Sequence, residues 1–281
     1  MNARFRMTLL SLPLIAVAWV SVTAANDFGA GNVRVRLVAD TDHIAPGGDF
    51  HLGVRFEIKP GWHIYWRYPG GAGLATDIQW QLPEGVQVGD LQWPLPIRFT
   101  QSEGIPGYGY EGTVVLASRV HAAQDFDPAL AIVGAEVSWL ACKGVCVLGS
   151  ARLEANLAEL KDDFDLPSRP ESLPQEIDSR DPPFSVRATG GIAEGTLSLW
   201  LSWLDPPPRL VEWFPDPSEA LVVEDVRLQT RGGLTRIDAV VRETAGSELS
   251  SDILDFLVVI TDDDGRRRGW TMAVDLTGND S

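Results

Sequence analysis

The chain has 281 residues, 44% of them hydrophobic, and a formal charge of −16. That is enough apolar material for one large or two ordinary domains, and so acidic a surface argues against nucleic acid and anionic lipid as partners. Two cysteines are far too few for a disulfide-dense scaffold, so packing rather than covalent cross-linking must hold the fold.

Arg4 and Arg6 precede an apolar run from Thr8 to Val20, and Val22 and Ala24 occupy the −3 and −1 places of a cleavage site. This reads as a secretory signal peptide over 1–24. The run is too short for a comfortable membrane span of about 20 residues. Its removal takes two arginines and no acids, so the exported chain is more acidic still. No membrane insertion of the mature chain is expected. Export into the periplasm would place the cysteines in an oxidising compartment, where neighbouring thiols pair unless something reduces them.

Period-two alternation then dominates. Val33, Val35, Leu37 and Ala39 alternate with more polar neighbours. After the Ala45-Pro46-Gly47-Gly48 turn come Phe50, Leu52, Val54, Phe56 and Ile58. Trp62-His63-Ile64-Tyr65-Trp66 follows Pro60-Gly61. Ile78, Trp80 and Leu82 continue the series, as does Thr113 to Val120. Val133, Ala135, Val137 and Trp139 form a strand that runs into Cys142. Short alternating runs split by Gly and Pro predict an antiparallel β-sandwich. Ala151 to Leu160 fits both a strand and a helix face.

The segment 161–183 carries five prolines among acids and few apolar residues, the composition of a stiff linker. Alternation resumes at Leu197, Leu199, Leu201 and Trp203 and recurs to Leu276, with Asp262-Asp263-Asp264-Gly265 as a hairpin turn. The expected organisation is all-β: a sandwich over 27–160, the linker, and a second, smaller sandwich-like β-domain over 184–281 that has no cysteine or histidine.

The sequence Trp139-Leu140-Ala141-Cys142-Lys143-Gly144-Val145-Cys146 concentrates the candidate chemistry. A bridge closing so short a loop stabilises by only about 2 kcal/mol, so chemistry explains the pair better than scaffolding does. On an extended strand, residues four apart lie about 13 Å from one another, far beyond disulfide reach. The chain must therefore reverse at Lys143-Gly144-Val145, where Gly144 accepts positive φ. The residues alone leave three readings open: a local structural bridge, a thiol–disulfide exchange site, and a soft-metal site such as Cu(I). Lys143 either favours a thiolate or is a solvated turn residue. Of the four histidines, only His63, set among aromatics, is a candidate neighbour of the sulfurs. No metal-ligand signature, phosphate loop or nucleophile elbow is present, and no cofactor is required.

Several segments in one order carry a resemblance. Pro60-Gly61-Trp62-His63-Ile64-Tyr65-Trp66, Ile78 to Val86, Gln92-Trp93-Pro94 with Pro96 and Arg98-Phe99, Tyr108-Gly109-Tyr110-Glu111-Gly112, and Trp139-Leu140 before the cysteines fit one pattern. It resembles the N-terminal periplasmic domain of DsbD-type protein-disulfide reductases, in the ScsB-like branch linked to suppression of copper sensitivity. The likeness covers about 33–160 well, and Trp213-Phe214-Pro215-Asp216 extends it less specifically.

The resemblance implies an immunoglobulin-like sandwich in which Cys142 and Cys146 form the redox pair, with Cys146 as the partner-linked sulfur. It implies a covering loop with Gln92–Phe99 as counterpart, Trp93 shielding the sulfurs, and Trp62 and Tyr65 lining the site. A thioredoxin-like or membrane reductase would donate electrons, and exported disulfide-containing proteins would accept them, in copper tolerance or cytochrome c maturation. The chain departs from the pattern in its shorter C-x₃-C spacing, in Leu148 where proline often stands, and in carrying no electron-relay region, so a separate donor is expected. The alternatives are a protein-binding module with a structural disulfide, or a Cu(I)-handling protein.

Overall fold

The computed structural model describes residues 27–39, 44–101, 104–160, 172–177, 182–204, 208–218, 220–244 and 253–277. The expected signal peptide lies outside the described residues, as do 161–171 and 178–181 of the expected linker. Among the described residues there is no α-helix, and no helix long and apolar enough to cross a membrane. The all-β expectation holds.

The first half contributes β1 (Asp27–Ala30), β2 (Val33–Ala39), β3 (Asp49–Ile58), β4 (Ile64–Gly70), β5 (Asp77–Gln81), β6 (Val86–Gln92), β7 (Ile97–Thr100), β8 (Pro106–Tyr110), β9 (Thr113–Ala122), β10 (Ile132–Lys143) and β11 (Val145–Asn156). The second contributes β12 (Gln175–Glu176), β13 (Phe184–Gly191), β14 (Thr196–Trp203), β15 (Leu210–Asp216), β16 (Leu221–Arg231), β17 (Leu234–Glu243), β18 (Ile253–Thr261) and β19 (Arg267–Asp275). The ambiguous stretch from Ala151 stays in β11 to Asn156 and ends in a single 3-10 turn, Leu157–Glu159, where Ala158 N donates to the Asn156 side chain.

In the first half, a sheet ordered β1-β2-β3-β9-β6 faces two smaller ones, β11-β10-β5 and β4-β8-β7. Alternate residues of β2, β3 and β9 meet Val133, Ala135, Val137, Trp139 and Ala141 of β10 in one buried cluster. That is the antiparallel sandwich the alternation implied, in the immunoglobulin-like form the resemblance implied. The second half pairs β12-β19-β18-β15 with β13-β14-β17-β16 around a second cluster. Among the described residues, all strand pairings are antiparallel except the short β12–β19 contact.

β15 and β18 break the alternation for a reason. Trp213 of β15 and Phe256, Val258 and Ile260 of β18 point into the second cluster. Their neighbours Phe214, Leu257 and Val259 belong to the first cluster. This sheet is therefore buried on both faces, which explains the continuous buried run from Phe256 to Ile260. Each such side chain removed from water stabilises the contact between halves by about 1.5–3 kcal/mol. Arg67 adds an ion pair to Asp216 at 2.6 Å across the same seam.

Candidate redox site: the Cys142–Cys146 hairpin

The chain reverses where the spacing requires. β10 and β11 form a continuous hairpin in which Cys142 pairs with Cys146 and Lys143 with Val145, and Gly144 sits at the tip with φ 71°. The cysteines stand directly across the two strands, Cα atoms 4.1 Å apart, and are joined as a disulfide.

The two sulfurs have unlike surroundings. Cys142 is only 3% exposed, whereas Cys146 is exposed along with Val145, Val147 and Leu148. Cys142 also lies outside the main hydrophobic cluster, because it belongs to the face of β10 opposite Trp139 and Ala141. Its cover comes from the small β4-β8-β7 sheet. His63, just before β4, exchanges both backbone hydrogen bonds with Cys142, at 3.1 and 3.0 Å. This bridge splices the small sheet onto the end of β10.

Alternation along β4 then sorts the side chains. Ile64 and Trp66 enter the main cluster, while His63 and Tyr65 turn to the other face. The buried Tyr65 hydroxyl lies 3.2 Å from Cys142 Sγ and 2.8 Å from Gln101 Oε1. Gln101 is oriented by its own Nε2, which donates to Ala72 O at 2.8 Å. A phenol carries one proton, so in the disulfide state it serves the amide oxygen. Burial holds the Tyr65 hydroxyl above its ordinary pKa, which keeps it a donor.

Phe99 completes the cover. It stacks on His63 with ring centroids 3.8 Å apart and meets the Tyr65 edge at 5.8 Å. Its cross-strand partner on β8 is Gly107, where a Cβ would come within 2.3 Å of the Phe99 ring. Glycine at Gly109 likewise lets β8 approach Ile64 O, which a Cβ would meet at 1.9 Å. Desolvation lowers the pKa of His63, and its Nε2 has no hydrogen-bond partner among the described residues.

Of the residues singled out in the sequence, Tyr65 reaches a sulfur. Lys143 sits beside the tip and donates to Pro60 O at 3.2 Å, across Gly61, so it ties the hairpin to the preceding turn. Trp62 and Trp93 are half-buried and pack against the main cluster. Phe99, at the end of the anticipated covering segment, is the ring that lies over His63 and Tyr65. Gln101 was not anticipated; a lone glutamine beside a turn gives no sequence signal. Among the described residues no group of three or more His, Cys, Asp or Glu is placed to hold a metal ion.

Residues 34–158 match the family profile described as thiol:disulfide interchange protein DsbD, N-terminal. No curated protein matches the chain. Among solved structures, the N-terminal periplasmic domain of ScsB from Proteus mirabilis aligns with TM-score 0.68 and 23% identity, covering 90% of this chain and 100% of that one. A chicken T-cell receptor structure aligns at TM-score 0.23 and 9% identity, over 85% of this chain and 98% of that one, and carries no weight. The profile match takes in the whole hairpin, its cysteines and the covering sheet: residues 34–158 are similar to the DsbD-type N-terminal domain, and the chain is ScsB-like in fold.

Proposed function

We propose that the protein is a periplasmic thiol–disulfide exchange module in which Cys146 is the attacked sulfur and Cys142 the leaving one. The observation that carries this is the asymmetry of the pair: Cys146 is exposed, and Cys142 is buried against the Tyr65 hydroxyl. The DsbD-type domain supports exchange as the chemistry. A two-domain division, 27–160 and 184–281 joined by 161–183, is part of the proposal.

A thiolate of a reduced partner attacks Cys146 Sγ. The Cys142–Cys146 bond breaks, and its electron pair leaves on Cys142 Sγ. A thiolate accepts a stronger hydrogen bond than an amide oxygen does, so the Tyr65 proton turns from Gln101 to the sulfur. The partner's second thiolate then attacks its own sulfur in the mixed disulfide and releases Cys146. The partner ends as a disulfide and the pair as a dithiol. In the forward relay, Cys146 attacks the disulfide of an exported protein and Cys142 resolves the product, returning the pair to its oxidised state. The electron donor is a thioredoxin-like or membrane reductase. Copper tolerance or cytochrome c maturation is the setting proposed for this relay.

Trapping tests the assignment. A thioredoxin-like dithiol protein lacking its second cysteine is mixed with Cys142→Ser or Cys146→Ser chains under mild oxidation. A mixed disulfide is expected through Cys146 in the first and not through Cys142 in the second. Equal trapping by both variants, or by neither, contradicts the proposal.

A further inference from the structure

The second half of the chain contains no cysteine, yet it holds the root of the cover. Between β6 and β7 the chain runs Trp93-Pro94-Leu95-Pro96, and three residues later β7 presents Phe99. Tyr110 of the first half fixes this root by donating to Pro94 O at 2.8 Å. Further contacts to it come from the linker and the second half. Leu95 N donates to Ser172 O at 2.9 Å. Arg267 of β19 donates to Pro96 O at 2.7 Å, while the Glu212 carboxylate, 2.8 Å away, orients the guanidinium. The Leu95 side chain fills the space beside Gly269, where a Cβ would lie 2.4 Å from Leu95 Cδ2. Phe214 meanwhile packs on Tyr108 and Trp66, which back the covering sheet from its core side.

We infer that Arg267 is a positioning residue that makes the second half a brace for the cover, keeping Cys142 buried so that only Cys146 is offered to thiols. Arg267 and Glu212 are both mostly buried, and a charged donor to a carbonyl in such a place is among the stronger single hydrogen bonds available. Removing it leaves Pro96 O without that donor and frees the start of β7. Phe99 then leaves His63 and Tyr65 more often, and Cys142 meets solvent. The consequence for partner choice rests on the exchange reading above, but the brace itself is a statement about one sulfur's burial and fails separately from it.

Full mature chains carrying a single cysteine test it. Alkylation by iodoacetamide is followed in Cys146→Ser, which reads Cys142, and in Cys142→Ser, which reads Cys146, with Arg267 intact, Arg267→Met or Arg267→Lys. Arg267→Met is expected to raise Cys142 alkylation about three- to tenfold and leave Cys146 unchanged, with Arg267→Lys falling between. Leu95→Ala provides a second loosening of the same root and should act in the same direction. The control is Arg242→Met, which breaks the exposed pair to Glu224 on the far sheet and should change neither rate. An unchanged Cys142 rate in both Arg267→Met and Leu95→Ala overturns the inference. So does an equal rise at Cys146, or the same rise in Arg242→Met, because either shows general loosening instead of a brace.

Discussion

Tyr65→Phe removes a single oxygen, 3.2 Å from Cys142 Sγ and 2.8 Å from Gln101 Oε1. The ring keeps its place, since Phe99 and the backbone of Gly73 still confine it. In the folded disulfide state the loss is one neutral hydrogen bond, worth about 1 kcal/mol. The effect on chemistry is larger, because the oxygen serves a thiolate once the bridge opens. A hydrogen bond to a charged group contributes about 1.5–3 kcal/mol. With close to half of the charge developed on sulfur in the exchange transition state, roughly 0.7–1.5 kcal/mol of that bears on the rate. Reduction by dithiothreitol should therefore slow by about 3- to 12-fold. The assay is quenched-flow reduction of full mature protein, with released thiols counted by alkylation and mass. Equal rates for Tyr65→Phe and the parent would refute the role given to the hydroxyl. Thermal unfolding run in parallel separates this from a folding defect.

His63 gives a pH dependence of definite sign. Burial lowers its folded pKa below the ordinary 6.5, so the unfolded chain binds the proton more readily than the folded one. The stability associated with neutral His63 is therefore complete above pH 6.5 and is lost as pH falls through the lowered folded value. Urea midpoints at pH 7.5 and 5.5 should show a fall that His63→Phe reduces; identical pH slopes would contradict the burial argument. Gly109→Ala places a Cβ against Ile64 O and should destabilise the chain by about 1–3 kcal/mol, read from denaturant unfolding. A change below about 0.5 kcal/mol would mean that β4 and β8 are not held as close as described.

The parts of this fold that were legible in the sequence obey a single alternation. β2, β3 and β10 each bury one face in one core, so their pattern is regular and their existence plain. β8 escaped because Pro106-Gly107-Tyr108-Gly109-Tyr110 looks like punctuation; its glycines are small because Phe99 and Ile64 press on that face. The continuous apolar run of β18 conceals that its two faces serve different cores. The hairpin at Gly144 followed from reach alone, as two residues four apart cannot otherwise bond. The site divides the same way. Cys142, Cys146 and Tyr65 stand in recognisable motifs, whereas Gln101 and Arg267 act through contacts to backbone carbonyls, and such contacts leave no trace in spacing. Trp93 and Trp62 show the limit of residue type as a guide: large aromatics near a motif also fit ordinary packing.

The central claim is that Cys142 and Cys146 work as an exchange couple instead of a staple. The reduction potential of the pair tests it most directly, by equilibrating the mature protein with glutathione and dithiothreitol buffers and quantifying both redox states. The account predicts a value in the range of exchange proteins, about −120 to −270 mV. A value below about −300 mV would make the bridge a resistant structural element and contradict it.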